Sequence, residues 1–258
     1  MHDFDVHMNE KGWFIFDEMV PPALIYRMLE DMKKAYVICR DVQISNGLSY
    51  NNEGTVHHLV EIGQGFVDYL DFSVQLNPYF EFYFKGKYIL NSFGGNFNQK
   101  RVMSYANNIH RDIRTFSGDL PLLLNTLVML DDFTIENGAT FLMSGSHRTH
   151  PHTPTEEEFH HAAVQATAKA GSVLIFNSNL WHCAGINHTD LPRRSVTPMY
   201  CKPFIKQQYD YPRALGYENI DLYSEWLKQI LGFNARIPAS LHDWYQPKER
   251  RMYKSDQG

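Results

Sequence analysis

The run LLLNTLVMLDDF, Leu122 to Phe133, decides how this chain is read. It is apolar almost throughout and rich in branched side chains, with a strong turn directly after it. Such a run is a strand buried on both faces. Glu136-Asn137-Gly138 supplies the turn. Thr140-Phe141-Leu142-Met143 is the next short strand, closed by Ser144-Gly145-Ser146-His147.

The same rhythm extends in both directions. Downstream, Val164 to Ala168, Ser172 to Phe176 and Leu180 to Ala184 read as three short strands. They are divided by Gly171 and by Asn177-Ser178-Asn179, and Arg194 to Phe204 is extended again. Upstream, Tyr88 to Phe93 and Asn96 to Asn98 read as strands separated by Gly94-Gly95, and Arg101 to Ile109 as a further extended segment. Many short strands with regular turn signals predict a sandwich or jelly roll. Helices flank this β core. After a short strand at Trp13-Phe14-Ile15-Phe16, Pro21-Pro22 opens a helix whose buried face is Ile25, Met28, Leu29 and Met32. Residues 59–85 read as one or two helices with Pro78 as the break. Residues 220–231 read as a closing amphipathic helix stopped by Gly232. The polar stretch from Arg148 to Glu158 is a surface loop that ends in a capping-box helix start at Thr155. The expectation is one domain over 1–258: a mainly helical N-terminal region (1–86), a jelly-roll core (87–204), and a C-terminal helix and tail (205–258).

Bulk properties exclude several function classes. Net charge is −5 with no basic block, which disfavours nucleic acid as a partner. The three cysteines, Cys39, Cys183 and Cys201, have no close pair, which fits a reducing cytoplasm. The polar, acidic N-terminus does not read as a signal peptide, and no apolar run is long enough to span a membrane.

The chemistry is carried by Asn108-Ile109-His110-Arg111-Asp112. On an extended segment, residues two apart share a face, so His110 and Asp112 can ligate one metal. A mononuclear non-haem iron site takes two histidines and one carboxylate and keeps its other positions open. The third ligand must come from a strand adjacent in space, and His182 lies about 70 residues on. A second His-x-Asp, His188-Thr189-Asp190, lies in a turn signal before Pro192 and lacks that context. On a strand beginning at 193, Arg193 and Ser195 share a face while Arg194 points away. A guanidinium fork and a hydroxyl suit a carboxylate.

With these residues in view, the chain resembles the phytanoyl-CoA dioxygenase family of iron(II)- and 2-oxoglutarate-dependent oxygenases. The matching pieces appear in the family's order: Ile109-His110-Arg111-Asp112; Leu130-Asp131-Asp132-Phe133 through Glu136-Asn137-Gly138-Ala139-Thr140; Ser144-Gly145-Ser146-His147-Arg148; and Trp181-His182-Cys183-Ala184-Gly185-Ile186-Asn187 with Arg193-Arg194. The match departs from the family at two positions. Ser144 stands where the family often has proline, and Ala184 where some members carry a serine.

The resemblance implies a double-stranded β-helix, a cupin-like jelly-roll barrel. It implies an oxidoreductase with Fe(II) held by His110, Asp112 and His182, and 2-oxoglutarate and O2 as co-substrates. Arg193 and Ser195 would hold the 2-oxoglutarate, with Thr126, Asn96 and Asn98 as further candidates. Related halogenases replace the metal carboxylate with a small residue, so Asp112 favours hydroxylation, ring closure, desaturation or epimerisation over halogenation. Arg114, His57 and Trp181 are candidate substrate contacts. Tyr50, Trp226, Trp244 and Tyr245 are expected in the pocket walls, which suits a small, polar, ring-bearing metabolite such as a sugar-containing or natural-product compound. His147 reads as a loop histidine, and His150, His152, His160 and His161 as solvated. Two alternatives remain: a zinc-dependent cupin-like hydrolase or isomerase, and a non-catalytic small-molecule-binding barrel.

Overall fold

The computed structural model describes residues 1–48, 52–149 and 151–257. Its strands are β1 (Trp13–Phe16), β2 (Thr55–Val56), β3 (Ile89–Asn98), β4 (Leu123–Met129), β5 (Phe141–Met143), β6 (Ala163–Gln165), β7 (Val173–Asn177), β8 (His182–Cys183) and β9 (Arg193–Cys201). They form two sheets, one in the order β1-β7-β4-β9-β3-β2 and one in the order β6-β5-β8, with every pairing between named strands antiparallel. Strands from opposite ends of the core lie side by side, as a jelly roll requires. Helices α1 (His2–Glu10), α2 (Pro22–Ser45), α3 (Gln64–Phe72) and α4 (Asn77–Phe84) flank the sheets.

The apolar run at 122–133 is explained by burial on both faces. Leu127 and Met129 of β4 join Leu174 and Phe176 of β7, and Leu142 and Leu180, in a core between the sheets. Leu124, Val128, Val173 and Ile175 face the other way, into a larger core with Met28, Met32, Phe66 and Phe80 from the helices. Two covered faces leave no place for polar alternation, so the buried Asn125 and Thr126 inside the run stand out.

Three expectations change. Gly94-Gly95 does not separate a pair of strands; β3 runs through both glycines. The residues must lack side chains because the neighbours close in. A Cβ on Gly95 would meet the Ser195 carbonyl oxygen at 2.9 Å and the Met32 methyl at 3.1 Å, and one on Gly94 would meet the Val56 carbonyl oxygen at 3.1 Å. Arg101 to Ile109 is not a strand. It contains a single 3-10 turn, Tyr105–Asn107, framed by a Ser104–Asn107 capping box. The break expected at Pro78 is present: one helical stretch ends at Leu76 and α4 starts at Asn77, with Pro78 in its first turn, where its missing N–H costs nothing. The closing helix is split. Tyr217–Leu222 is a 3-10 turn, Tyr223 is extended, and Ser224 caps a fresh helix at Glu225–Ile230 by accepting from the Leu227 N–H. Gly232, with φ +89°, then ends it as expected. The capping box at Thr155 and Glu158 is present.

Candidate metal and co-substrate site

A cavity of about 520 Å³ opens onto the inner face of the six-stranded sheet, and His110, Asp112, His182 and Arg193 all line it. The segment bearing the first two ligands has no strand of its own. It is tied down from two sides. His110 and His182 exchange backbone hydrogen bonds, N–H to carbonyl, at 3.0 and 2.9 Å, forming an isolated antiparallel bridge. The turn after β7 grips the rest: the Ile113 N–H donates to the Ser178 carbonyl, the Ser117 N–H to the Asn179 side-chain oxygen, and the Asn179 amide to the Ser117 hydroxyl.

This brings one ligand atom each from His110, Asp112 and His182 within 4.8 Å of one another. Among the described residues no other three His, Cys, Asp or Glu side chains converge in this way. The imidazoles are set for ligation. Nδ1 of His110 lies 2.7 Å from the Asn108 carbonyl oxygen, and Nδ1 of His182 lies 3.0 Å from that of Leu180. A carbonyl only accepts, so each Nδ1 carries a proton and each Nε2 is the atom turned toward Asp112; burial works to lower the His110 pKa, but Asp112 outweighs it and raises it. Those Nε2 atoms stand 3.4 and 3.6 Å from the Asp112 carboxylate. Burial works to raise the Asp112 pKa, but His182, His110 and the Asn125 amide outweigh it and hold the group at about 2. Burial, then the neighbouring His110, push His182 down to about 4. At neutral pH the set therefore offers a carboxylate and a neutral imidazole. This donor set, two nitrogens and one oxygen in a cavity with room beside them, fits a three-ligand metal centre with open positions.

Asn125 escaped the sequence reading. Its amide donates to Asp112 Oδ2, and its carbonyl accepts from the Ser178 hydroxyl at 3.2 Å. The available signal was a lone amide inside an apolar strand. Thr126, the neighbouring co-substrate candidate, lines the same cavity. Its hydroxyl donates to the Pro198 carbonyl at 2.7 Å rather than to a ligand.

Arg193 and Ser195 arrive by strand geometry. β9 pairs with β3 so that Asn98 faces Arg193, Asn96 faces Ser195, and Gly94 faces Thr197. Asn96, Ser195 and Thr197 line the cavity, and the glycine rung keeps it open. Arg194 points outward, as expected, and forks onto Asp131 with Nε and Nη2 at 2.8 and 2.7 Å. Arg193 is 2% exposed. It donates to the Gly138 carbonyl and lies 4.1 Å above the Phe133 ring, and its Nε–H has no acceptor. Among the described residues no carboxylate pairs with it. Burial pulls its pKa far down, to about 9. The turn at Gly138 (φ +73°) is what brings that carbonyl in. A Cβ there would lie 2.4 Å from the Gly185 carbonyl oxygen.

The remaining candidates divide. His57 lines the cavity, with Nε2 2.9 Å from the Tyr105 hydroxyl, and Arg114 lines it at an exposed rim. Asn98 does not line it: its amide is spent on the Gly185 carbonyl at 2.9 Å, clamping the loop after β8. Trp181 does not either. Next to His182 on the chain, it faces the opposite way, into a cluster with Met143, Phe159 and Cys183, under the Arg111 guanidinium at 4.1 Å. Trp226 is not a pocket wall, because its indole N–H donates to the Leu70 carbonyl on the far side of the sheet. Trp244 and Tyr245 are exposed and lie away from the cavity. Tyr50 and His150 lie outside the described residues. His147 is buried beside Gly12, away from the ligand set, and Asp190 of the second His-x-Asp is paired with Lys100 at the surface.

Mainly antiparallel sheets flanked by helices, with two histidines and a carboxylate lining one cavity, define a class of fold: the cupin-like jelly rolls. Residues 85–195 match the model of the phytanoyl-CoA dioxygenase (PhyH) family. An uncharacterised protein of Mycobacterium tuberculosis is 34% identical over 155 residues, 60% of this chain and 56% of its own. Dioxygenase trt7 of Aspergillus terreus is 29% identical, over 57% of this chain and 53% of its own. The chain thus spans about half the length of these curated relatives. Among solved structures, EctD from S. alaskensis with 2-oxoglutarate and 5-hydroxyectoine superposes with a TM-score of 0.61 at 18% identity, covering 78% of this chain and 76% of that one. The non-heme α-ketoglutarate-dependent epimerase SnoN from nogalamycin biosynthesis gives 0.59 at 15% identity, covering 78% and 80%. Both likenesses bear on the fold.

Proposed function

We propose that this chain is an Fe(II)- and 2-oxoglutarate-dependent dioxygenase that oxidises a small polar metabolite and releases succinate and CO2. One observation carries the proposal: a buried arginine with no carboxylate partner among the described residues shares a cavity with a two-histidine, one-carboxylate set. A buried guanidinium left without an anion is costly, so a site that keeps one is a site that receives an anion. A zinc hydrolase on the same scaffold has no use for that cation.

In this reading His110, Asp112 and His182 hold the iron. Bound iron supplies the coupling of 2-oxoglutarate decarboxylation to oxidation of a C–H bond. The protein's role is placement. Arg193 and Ser195, two residues apart on β9, grip the distal carboxylate of 2-oxoglutarate, and Asn96 stands opposite Ser195 on the same rung. Phe176 and Leu127 give the floor an apolar wall that limits water. The substrate approaches from the rim. Arg114 there has no ion pair among the described residues and suits an anionic or strongly polar group. Burial lowers the His57 pKa, so its neutral ring and the Tyr105 hydroxyl form a hydrogen-bonding pair suited to a substrate hydroxyl. The unit proposed is a single oxygenase domain, and its three unpaired cysteines suit a reducing cytoplasm.

The test is a metabolite panel read by succinate formation, run with and without iron(II) and 2-oxoglutarate. Turnover requiring both supports the reading. An Arg193→Leu protein should bind iron(II) normally and lose about 100-fold or more in 2-oxoglutarate affinity, because charge-assisted hydrogen bonds are lost. Succinate formation indifferent to iron would sink the proposal.

A further inference from the structure

We propose that Asn125, oriented by Ser178, is a positioning residue that commits one oxygen of Asp112 to the protein and leaves only the other for the metal. The inference rests on the metal-site reading above and concerns how many coordination positions the protein fills.

The argument starts from hydrogen-bond roles. A carboxylate that ligates a metal has no proton to donate, so it only accepts. The Asn125 group touching its Oδ2 must therefore be the amide NH2, which turns the Asn125 carbonyl toward Ser178. The Ser178 hydroxyl lies 3.2 Å from that carbonyl and donates to it, so the amide has one satisfied orientation. Asn125 is 3% exposed and Ser178 is 1% exposed, so water does not compete for these bonds.

The location of the relay matters as much as its bonds. Asn125 sits on β4, in the middle of a run otherwise chosen for apolar burial, and an amide there is tolerated only because both its ends are paired. Ser178 sits in the turn after β7 whose backbone carbonyl also receives the Ile113 N–H. The relay thus fixes Asp112 relative to the sheet by one path and its loop by a second. A carboxylate free to rotate on a loop can chelate with both oxygens and fill a position that a bidentate keto acid or O2 needs. An N–H donor on Oδ2 uses one of that oxygen's lone pairs and fixes the plane of the carboxylate, which makes Oδ1 the better ligand. Outer hydrogen bonds of this kind also set ligand orientation and metal affinity.

The experiment uses Co(II) as the probe, added to the metal-free wild-type chain and to its Asn125→Leu and Ser178→Ala variants. It reads affinity by titration and coordination number by the intensity of the visible cobalt bands, which fall as the number rises. For Asn125→Leu, near in volume and without a donor, the expectation is about 10- to 100-fold weaker Co(II) binding and dimmer bands. Ser178→Ala, which frees the amide to turn, should shift both readouts in the same direction by less. Circular dichroism of the metal-free proteins separates these effects from unfolding, and if Asn125→Leu does not fold, Ser178→Ala decides. Wild-type affinity and band intensity in the folded variants would overturn the proposal. Failure of wild type itself to bind Co(II) or Fe(II) would instead overturn the metal-site reading.

Discussion

The two halves of the site are built in different ways. Arg193 and Ser195 stand on a nine-residue strand paired along its length with β3, so their direction follows from the two-residue repeat of the backbone. His110 and Asp112 stand on a segment without regular structure, positioned by one β-bridge, the Asn177-Ser178-Asn179 turn and the Asn125 amide. A strand residue is held by every rung around it. A loop residue is held by a few named hydrogen bonds, and losing one of them is felt at the ligand. The anion-binding half should therefore resist damage to its surroundings, and the metal-binding half should not.

The largest expected effect comes from the loop half itself. Asp112→Ala removes the only carboxylate of the ligand set and should abolish iron(II) binding by calorimetry. Retained binding at wild-type affinity would mean the ligand set is misassigned. Next, Asn179→Ala strips the side-chain bonds that grip Ser117 and Gly118 and should cost about 1–3 kcal/mol in denaturant unfolding. The same substitution should speed amide hydrogen exchange across residues 109–118 and leave β3 and β9 unchanged. Faster exchange in both regions would erase the contrast between the halves. Metal addition to the wild-type protein should slow exchange in the loop and hardly touch the strands, since binding stabilises what it orders. The smallest effect belongs to the strand half. Ser195→Ala removes one neutral hydrogen bond from a rigid wall, and the KM for 2-oxoglutarate should rise roughly 2- to 10-fold with kcat little changed.

How far the sequence could be read follows the same division. Leu122 to Phe133 announced a doubly buried strand because burial on both faces leaves a continuous apolar signature. Arg193, Arg194 and Ser195 could be sorted by facing because alternation is a property of any strand, and Arg194 does turn outward to Asp131. The extended reading of Arg101 to Ile109 failed because that segment is fixed by partners far away in the chain, which no local pattern records. Asn98 and Asn96 share a face by number, yet Asn98 is captured by Gly185, a contact made only when the loop after β8 folds over it. Trp181 and Trp226 looked like pocket walls because aromatic residues near a site invite that reading, while their burial directions depend on packing.

Legible in the residues alone were the β-rich class, the order of the phytanoyl-CoA dioxygenase-like motifs and the three metal-ligand candidates with the arginine beyond them. These rest on local periodicity and on chemistry carried by single residue types. It took the packing of distant segments to show that His110 and His182 meet at one bridge, that Asn125 holds Asp112, and that among the described residues no carboxylate pairs with Arg193. Each of those depends on which groups remain unpaired after distant segments have packed, and that is settled by the whole fold.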